Sequence, residues 1–310
     1  MEYRYPFNDD LKIGLIGFGA WQLGNSNNWD GPNYDNGIAL VKKAYELGVN
    51  FFDTAPNYAD GQSEIILGQA LKGIREKVFI NTKVGHGPNG EYEFTPEGII
   101  KSVHRSLERL QTDYLDSVIL HNPERYVLEG HSDLIDTLQE LKNKGLVKRI
   151  GVSIDTLDEL QTVLTNLNID TIEIMFNLIH QEPKYLFDEV RKRNILLIIK
   201  VPLDSGWLTG KYDKNSVFTG IRSRWDLQTI ETRAIIVDRI KKILNTSDLS
   251  APALRFIANH KAVSVVIPGI RNESQLLDNI SSLDYEVSQN QMDDLDRLYE
   301  DFIKNKETPW

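Results

Sequence analysis

Four titratable side chains stand near the ends of three successive apolar runs. Phe51–Phe–Asp–Thr–Ala–Pro–Asn–Tyr58 leads from a strand-like segment into a loop that carries a carboxylate, Asp53, and a phenol, Tyr58. Val78–Phe–Ile–Asn–Thr–Lys83 ends on an amine, and Leu115–Asp–Ser–Val–Ile–Leu–His121 ends on an imidazole. If these runs are neighbouring parallel strands, all four groups meet at one end of the sheet. A phenol with the ordinary pKa of ~10 is a poor acid at neutral pH. A nearby ammonium favours phenolate, and a carboxylate behind it keeps the ammonium charged and oriented. The set therefore reads as an acidified Tyr58 that protonates a carbonyl oxygen, with Lys83 beside it and Asp53 behind Lys83. His121 reads as a neutral donor orienting that carbonyl. No hydroxyl nucleophile is paired with a base, and the six histidines show no metal-ligand spacing, so no metal is expected. A proton donor without a nucleophile calls for a cofactor, and hydride from a reduced nicotinamide fits.

An anion-binding signal lies far down the chain. Val265–Val–Ile–Pro–Gly–Ile–Arg271, followed by Asn–Glu–Ser–Gln275, reads as strand, glycine turn, arginine and helix start. Such a turn presents backbone N–H groups to phosphate, and Arg271 suits a phosphate monoester. Pro268, Gly269 and Ile270 belong to this turn. Pro202, Leu203, Ser205, Gly206 and Lys211, in the long segment after the preceding strand, are expected to line a pyrophosphate. Gly17–Phe–Gly19 continues into Ala20–Trp21 and not into a phosphate turn, so a Rossmann reading fails.

The elements that must position these groups alternate. Candidate strands are Ile13–Gly17, Asn50–Asp53, Val78–Lys83, Leu115–His121, Arg149–Ser153, Ile172–Phe176, Ile195–Val201 and Ser264–Ile267. Candidate helices are Ile38–Leu47, Ser63–Lys72, Glu97–Leu110, Leu134–Lys144, Leu157–Asn166, Lys184–Arg193, Glu231–Leu244 and Glu273–Ser281. Eight strand–helix repeats predict an α/β protein, a (β/α)8 TIM barrel in a single domain over residues 1–310. Gln289–Asn305 is expected as one extra C-terminal helix, and Leu11–Lys12 as the second strand of a small hairpin with Tyr3–Phe7. Long loops follow the first and seventh strands, on the face where such barrels place active sites. Trp21, Trp29 and Trp225 are the expected substrate-pocket tryptophans; His86 and His180 are expected at the surface or in loops.

Composition narrows the function classes. A formal net charge of -10 repels a polyphosphate backbone, so no nucleic-acid partner is expected. No apolar run reaches the ~18–20 residues that span a membrane. The chain has no cysteine, which removes disulfides, thiolate metal sites and a cysteine nucleophile, and fits a cytoplasmic location.

The chain resembles the aldo-keto reductases over essentially its whole length, in their bacterial-type branch. The motifs are Gly17–Phe–Gly–Ala–Trp21, Phe52–Asp–Thr–Ala–Pro–Asn–Tyr58, Ser63–Glu–Ile–Ile–Leu–Gly68, Thr82–Lys83, Leu120–His–Asn–Pro123, Gly151–Val–Ser153 and Ile267–Pro–Gly269. The resemblance implies a (β/α)8 barrel that uses NADP(H), less often NAD(H), to interconvert aldehydes or ketones and alcohols. It assigns the catalytic tetrad to Asp53, Tyr58, Lys83 and His121, and a carboxamide contact to Ser153. It places further cofactor contacts at Gly19, Ala20 and Trp21, and adenosine-phosphate contacts at Gly269–Arg271, Gln275 and Asn279. Three positions depart from the family pattern. Ile154 replaces an asparagine, Glu173 a glutamine, and Lys200 an aromatic ring that stacks on nicotinamide; Glu173 and Lys200 stay in the expected cofactor set. The partner is then a small carbonyl or alcohol. An aldose dehydrogenase running oxidatively, a nicotinamide-binding regulatory subunit with little turnover, and a Schiff-base barrel using Lys83 are the alternatives.

Overall fold

Period-two alternation explains why a packed barrel ends in a polar mouth. In the computed structural model the described residues are 1–6, 12–25 and 31–309. Strands β1 (Tyr3–Arg4) and β2 (Ile13–Gly14) form an antiparallel hairpin. Strands β3 (Phe18–Gly19), β4 (Phe51–Asp53), β5 (Phe79–Val84), β6 (Ser117–His121), β7 (Ile150–Ile154), β8 (Thr171–Met175), β9 (Leu196–Lys200) and β10 (Val265–Val266) make one parallel sheet in sequence order. Its two edges meet through the parallel bridges Ile16–Val266 and Gly19–Gly269, so the sheet closes on itself. A Cβ on Gly19 would sit 2.8 Å from the Ile267 carbonyl oxygen, so the closure needs glycine there. Helices between the strands cover the outside, giving a (β/α)8 barrel.

Inside the barrel, Ile13, Phe51, Phe79, Leu196, Ile198, Val265 and Ile267 form one apolar plug. Further along the same inward rows stand Asp53 after Phe51, Asn81 and then Lys83 after Phe79, and Lys200 after Ile198. On β4, β5 and β9 the early inward residues fill the core and the last is polar.

Most expected elements lie within a few residues of their predicted bounds; the differences are at the first strand, in an extra helix and in the last helix. Ile13–Gly14 pairs with β1 instead of opening the barrel, because Asn50 holds it: Gly14 N donates to Asn50 Oδ1 at 2.8 Å and Asn50 Nδ2 to the Lys12 carbonyl at 2.8 Å. The first barrel strand is therefore Phe18–Gly19. Phe7 and Leu11, parts of the predicted hairpin, lie outside the described residues. A helix over Ser250–Ala258 was not predicted; six of its nine residues are buried. The C-terminal helix spans Gln289–Leu298, opened by a Ser288–Gln291 capping box, and continues as a π-helical turn over Tyr299–Ile303.

Candidate active site

The mouth of the barrel holds a buried charge cluster. Lys83 is fully buried, and its Nζ lies 2.7 Å from both Asp53 carboxylate oxygens and 3.2 Å from the Thr54 carbonyl. Glu173 on β8 approaches the same ammonium at 3.3 Å. Asn81 Nδ2 donates to Asp53 Oδ1 at 2.8 Å, which orients the acid. The Tyr58 ring centroid is 5.1 Å from Lys83 Nζ and 6.0 Å from the His121 ring, edge to face. Trp21 packs on the other side of Tyr58 at 6.4 Å between centroids.

The loop carrying Tyr58 is tied down from several sides. Ala59 and Asp60 adopt left-handed backbone, at φ 48° and 52°, before Gly61. Asp60 Oδ1 accepts from the Asn89 N–H at 2.8 Å, and Ser63 bridges Thr54 Oγ1 and the Ala20 carbonyl. Glu64, fully buried, accepts from Thr82 Oγ1 and from Arg109 Nε, each at 2.7 Å. These contacts explain the Ser63–Glu64 pair in the sequence: it fixes the helix start behind the phenol.

Protonation follows from burial and neighbours. Burial and the Glu173 carboxylate push Asp53 up to about 7, against the pull of Lys83. Burial opposes the charge on Lys83, yet Asp53, Glu173 and Tyr58 outweigh it and raise the ammonium's pKa. A Schiff-base role needs a neutral amine, so this environment disfavours it. His121 is held well below its ordinary value by burial, Lys83, Lys200 and His86, so it is a neutral imidazole; its Nδ1 is buried without a hydrogen-bond partner. The acidified phenol expected from the sequence is corrected here. Burial raises Tyr58, Asp53 and Glu173 add to the rise, and Lys83 lowers it without prevailing.

A cavity of ≈ 360 Å³ opens over this cluster. Of the expected residues, Gly19, Trp21, Asp53, Tyr58, His121, Glu173, Lys200, Pro202, Leu203, Ser205, Gly206, Lys211, Gly269, Arg271 and Gln275 line it. Lys83 lies just beneath. Ser153 sits behind the wall: its Oγ accepts from Lys200 Nζ at 2.8 Å and donates to Glu173 Oε1 at 3.3 Å. The Lys200 ammonium also meets Asn122 Oδ1 at 3.0 Å and Asp155 Oδ1 at 2.9 Å, so it joins a polar network where a stacking ring was the family pattern.

Other expected residues stand elsewhere. Ala20 and Ile270 are buried in the core, and Pro268 is absent from the cavity wall. Trp225, expected at the substrate pocket, is also absent from that wall. It packs against Trp207 and Phe218 and donates from Nε1 to the Pro309 carbonyl, because this loop folds its aromatic residues inward on each other. Trp29 lies outside the described residues. His180 lies in a loop, as expected, half-buried with its Nε2 3.7 Å from Asp204 Oδ1. His86 stacks edge-on against His121, with centroids 5.5 Å apart. The sequence reading missed Gln22, Asn57, Asn122 and Arg222 as lining residues. Asn57 and Asn122 directly adjoin Tyr58 and His121, a signal that was legible; Arg222 lies on the Arg222–Trp225 loop, which matches some bacterial-type relatives without revealing a role; Gln22 carried no signal.

The far end of the cavity suits a phosphate-bearing ligand. Asn272 caps the helix Glu273–Ser281, and Gln275 Oε1 accepts from the Arg271 N–H at 3.0 Å. Gly269 leaves room for Gln22, whose Nε2 a Cβ there would meet at 2.4 Å. Gln22 Oε1, on the cavity wall, is buried without a hydrogen-bond partner, as is Asn279 Nδ2, but Asn279 is absent from that wall. Arg222 and Lys211 on the seventh loop add positive charge. This donor set fits a dinucleotide. Among the described residues, no three metal-ligating side chains converge and no helix is long and apolar enough to cross a membrane.

The L-galactose dehydrogenase of Arabidopsis thaliana is 30% identical over 295 residues, covering 91% of this chain and 88% of that protein. The NADH-specific methylglyoxal reductase of Escherichia coli (strain K12) is 26% identical, covering 90% and 92%. The holo form of an aldo-keto reductase from Bacillus halodurans superposes with a TM-score of 0.80 at 24% identity, covering 96% of each chain. Residues 15–300 match the model of the aldo/keto reductase family, and the chain is a member of that family.

Proposed function

We propose that the protein is an NADP(H)-dependent oxidoreductase that interconverts aldehydes or ketones and alcohols, with Tyr58 as the general acid and base. The observation that carries this reading is the buried Tyr58–Lys83–Asp53 arrangement beside a neutral His121. When bound, the dinucleotide supplies or accepts hydride. His121, neutral and on the cavity wall, donates a hydrogen bond to the carbonyl oxygen and fixes its position. Tyr58 is protonated at neutral pH and gives its proton to that oxygen as negative charge builds there. Lys83 steadies the phenolate that remains, and Asp53 keeps Lys83 charged. In the oxidative direction the same phenolate takes the proton from the alcohol.

Gly19, Trp21, Ser153, Glu173 and Lys200 are assigned to the nicotinamide end, and Pro202, Leu203, Ser205, Gly206 and Lys211 to the pyrophosphate. Gly269, Arg271, Gln275 and Asn279 are assigned to the adenosine phosphate. Arg271 at the capped helix start supports NADP(H); NAD(H) use is kept as the alternative because one relative is named as NADH-specific. Oxidation of an aldose is a second reading, supported by the likeness to L-galactose dehydrogenase. A cytoplasmic location belongs to the same reading, on the cysteine-free sequence.

Replacing Tyr58 by Phe tests the assignment. Consumption of NADPH with 4-nitrobenzaldehyde and with an aldose panel should fall by about 10²–10⁴-fold, while dinucleotide binding by fluorescence stays near that of the parent. Undiminished turnover would overturn it, and the absence of turnover in the parent on every carbonyl and alcohol would favour the regulatory-subunit alternative.

A further inference from the structure

Lys83 faces two acids, and only Asp53 belongs to the tetrad that the sequence singled out. Glu173 Oε2 lies 3.3 Å from Lys83 Nζ, and both side chains are almost wholly buried. Glu173 is itself held in place. Ser153 Oγ donates to its Oε1 at 3.3 Å, and Asn81 Nδ2 reaches its Oε2 at 3.4 Å. Asn81 also donates to Asp53, so one amide ties the two carboxylates together. Burying a second negative charge beside the first is costly unless a cation offsets it. Its presence at the reacting end of the barrel therefore calls for a role.

The groups that face this pair come from every surrounding strand. Asp53 stands on β4, Lys83 on β5, His121 on β6, Ser153 on β7, Glu173 on β8 and Lys200 on β9. Tyr58 covers the top, and His86 stands behind His121. Lys200 is turned toward Ser153, Asn122 and Asp155, so its charge is partly offset by Asp155. Glu173 thus acts mainly on Lys83, and through Lys83 on Tyr58.

We propose that Glu173 is a positioning residue for proton transfer: with Asp53 it clamps Lys83 between two carboxylates and keeps the Lys83–Tyr58 pair protonated to higher pH than a glutamine would. The inference rests on the oxidoreductase reading. It gives this chain a proton donor that stays loaded well into the alkaline range. Each proton is conserved: Tyr58 loses one to the carbonyl oxygen and regains one from solvent. Glu173 raises Asp53, Lys83 and Tyr58 in the same direction, which agrees with the geometry.

The test compares Glu173→Gln, which keeps shape and removes charge, with Glu173→Asp, which keeps charge. Reduction of 4-nitrobenzaldehyde by NADPH is followed from about pH 6 to about pH 11, with the alkaline fall in kcat/KM as the main readout. Melting temperature and dinucleotide binding are measured alongside. The alkaline fall should move to lower pH by about one unit in Glu173→Gln and by less than about half a unit in Glu173→Asp. A fall that does not move in Glu173→Gln overturns the proposal, as does a Glu173→Gln chain that no longer melts cooperatively, since the carboxylate is then a structural requirement. Tyr58→Phe is assayed in parallel. If it keeps turnover, the general-acid reading itself fails; if it loses turnover while the Glu173→Gln profile stands still, only the role of Glu173 fails.

Discussion

Asp53 holds the Lys83 ammonium with both carboxylate oxygens, each at 2.7 Å, inside a barrel where both side chains are almost wholly buried. The pair is therefore a unit, and removing one partner strands the other. Lys83→Met leaves Asp53 and Glu173 facing each other without a cation. Stability should fall by roughly 3–5 kcal/mol in urea titrations, and turnover by more than about 10²-fold. Adding Glu173→Gln to Lys83→Met should return part of the stability, because one of the two stranded charges is gone. Additive losses in the double variant would show that the two acids do not act on one lysine.

Dinucleotide preference should rest on Arg271. It stands at the start of the Glu273–Ser281 helix, where Asn272 caps the first turn. A charge-assisted contact to a phosphate monoester contributes about 1.5–3 kcal/mol. Arg271→Ala should therefore weaken NADPH binding by about 10–100-fold and leave NADH binding within about threefold. Equal losses for the two dinucleotides would remove the basis for preferring NADP(H).

Arg233 links the seventh loop to the C-terminus. It is fully buried, ion-paired with Asp204, and donates to the carbonyls of Thr308 at 3.2 Å and Pro309 at 2.8 Å. Asp204 precedes Ser205 and Gly206, which line the cavity. Arg233→Met should destabilise the fold by roughly 3–5 kcal/mol, since Asp204 is left buried without its cation. It should also loosen the segment around Thr308, read as faster amide hydrogen exchange there. Exchange at the parental rate would show that Arg233 does not anchor it.

Acid should weaken the fold through buried histidines. Burial holds His260 at about 4, among the rings of Phe176, Phe187 and Phe256. Burial, with Arg233 nearby, holds His180 at about 4 as well. Both are bases whose folded-state values lie below the ordinary one. Their neutral forms support the fold above about pH 6.5, and that support is lost as the pH falls toward 4. His260→Phe should flatten the decline in urea midpoint between those pH values. A parallel decline in parent and variant would exclude His260 as a contributor.

The proposed catalytic set is legible in the sequence because a β-strand has a period of two and a parallel barrel puts all its strand ends on one face. Those rules alone bring Asp53, Lys83 and His121 together, and a loop of four residues carries Tyr58 to them. The helices were legible for a similar reason: Thr156–Glu159 and Thr95–Pro96 mark their starts with local chemistry. Charge balance was not legible. Lys83 beside Tyr58 suggested an acidified phenol, but the sign of the net effect depends on how much water the barrel excludes and on Glu173, ninety residues further on. The place of Trp225 was hidden for the same reason. An aromatic residue on a long loop can face a ligand or its own loop, and the choice rests on Trp207 and Phe218 packing against it. Spacing along the chain tells which groups share a row; long-range burial sets their protonation and what each one touches.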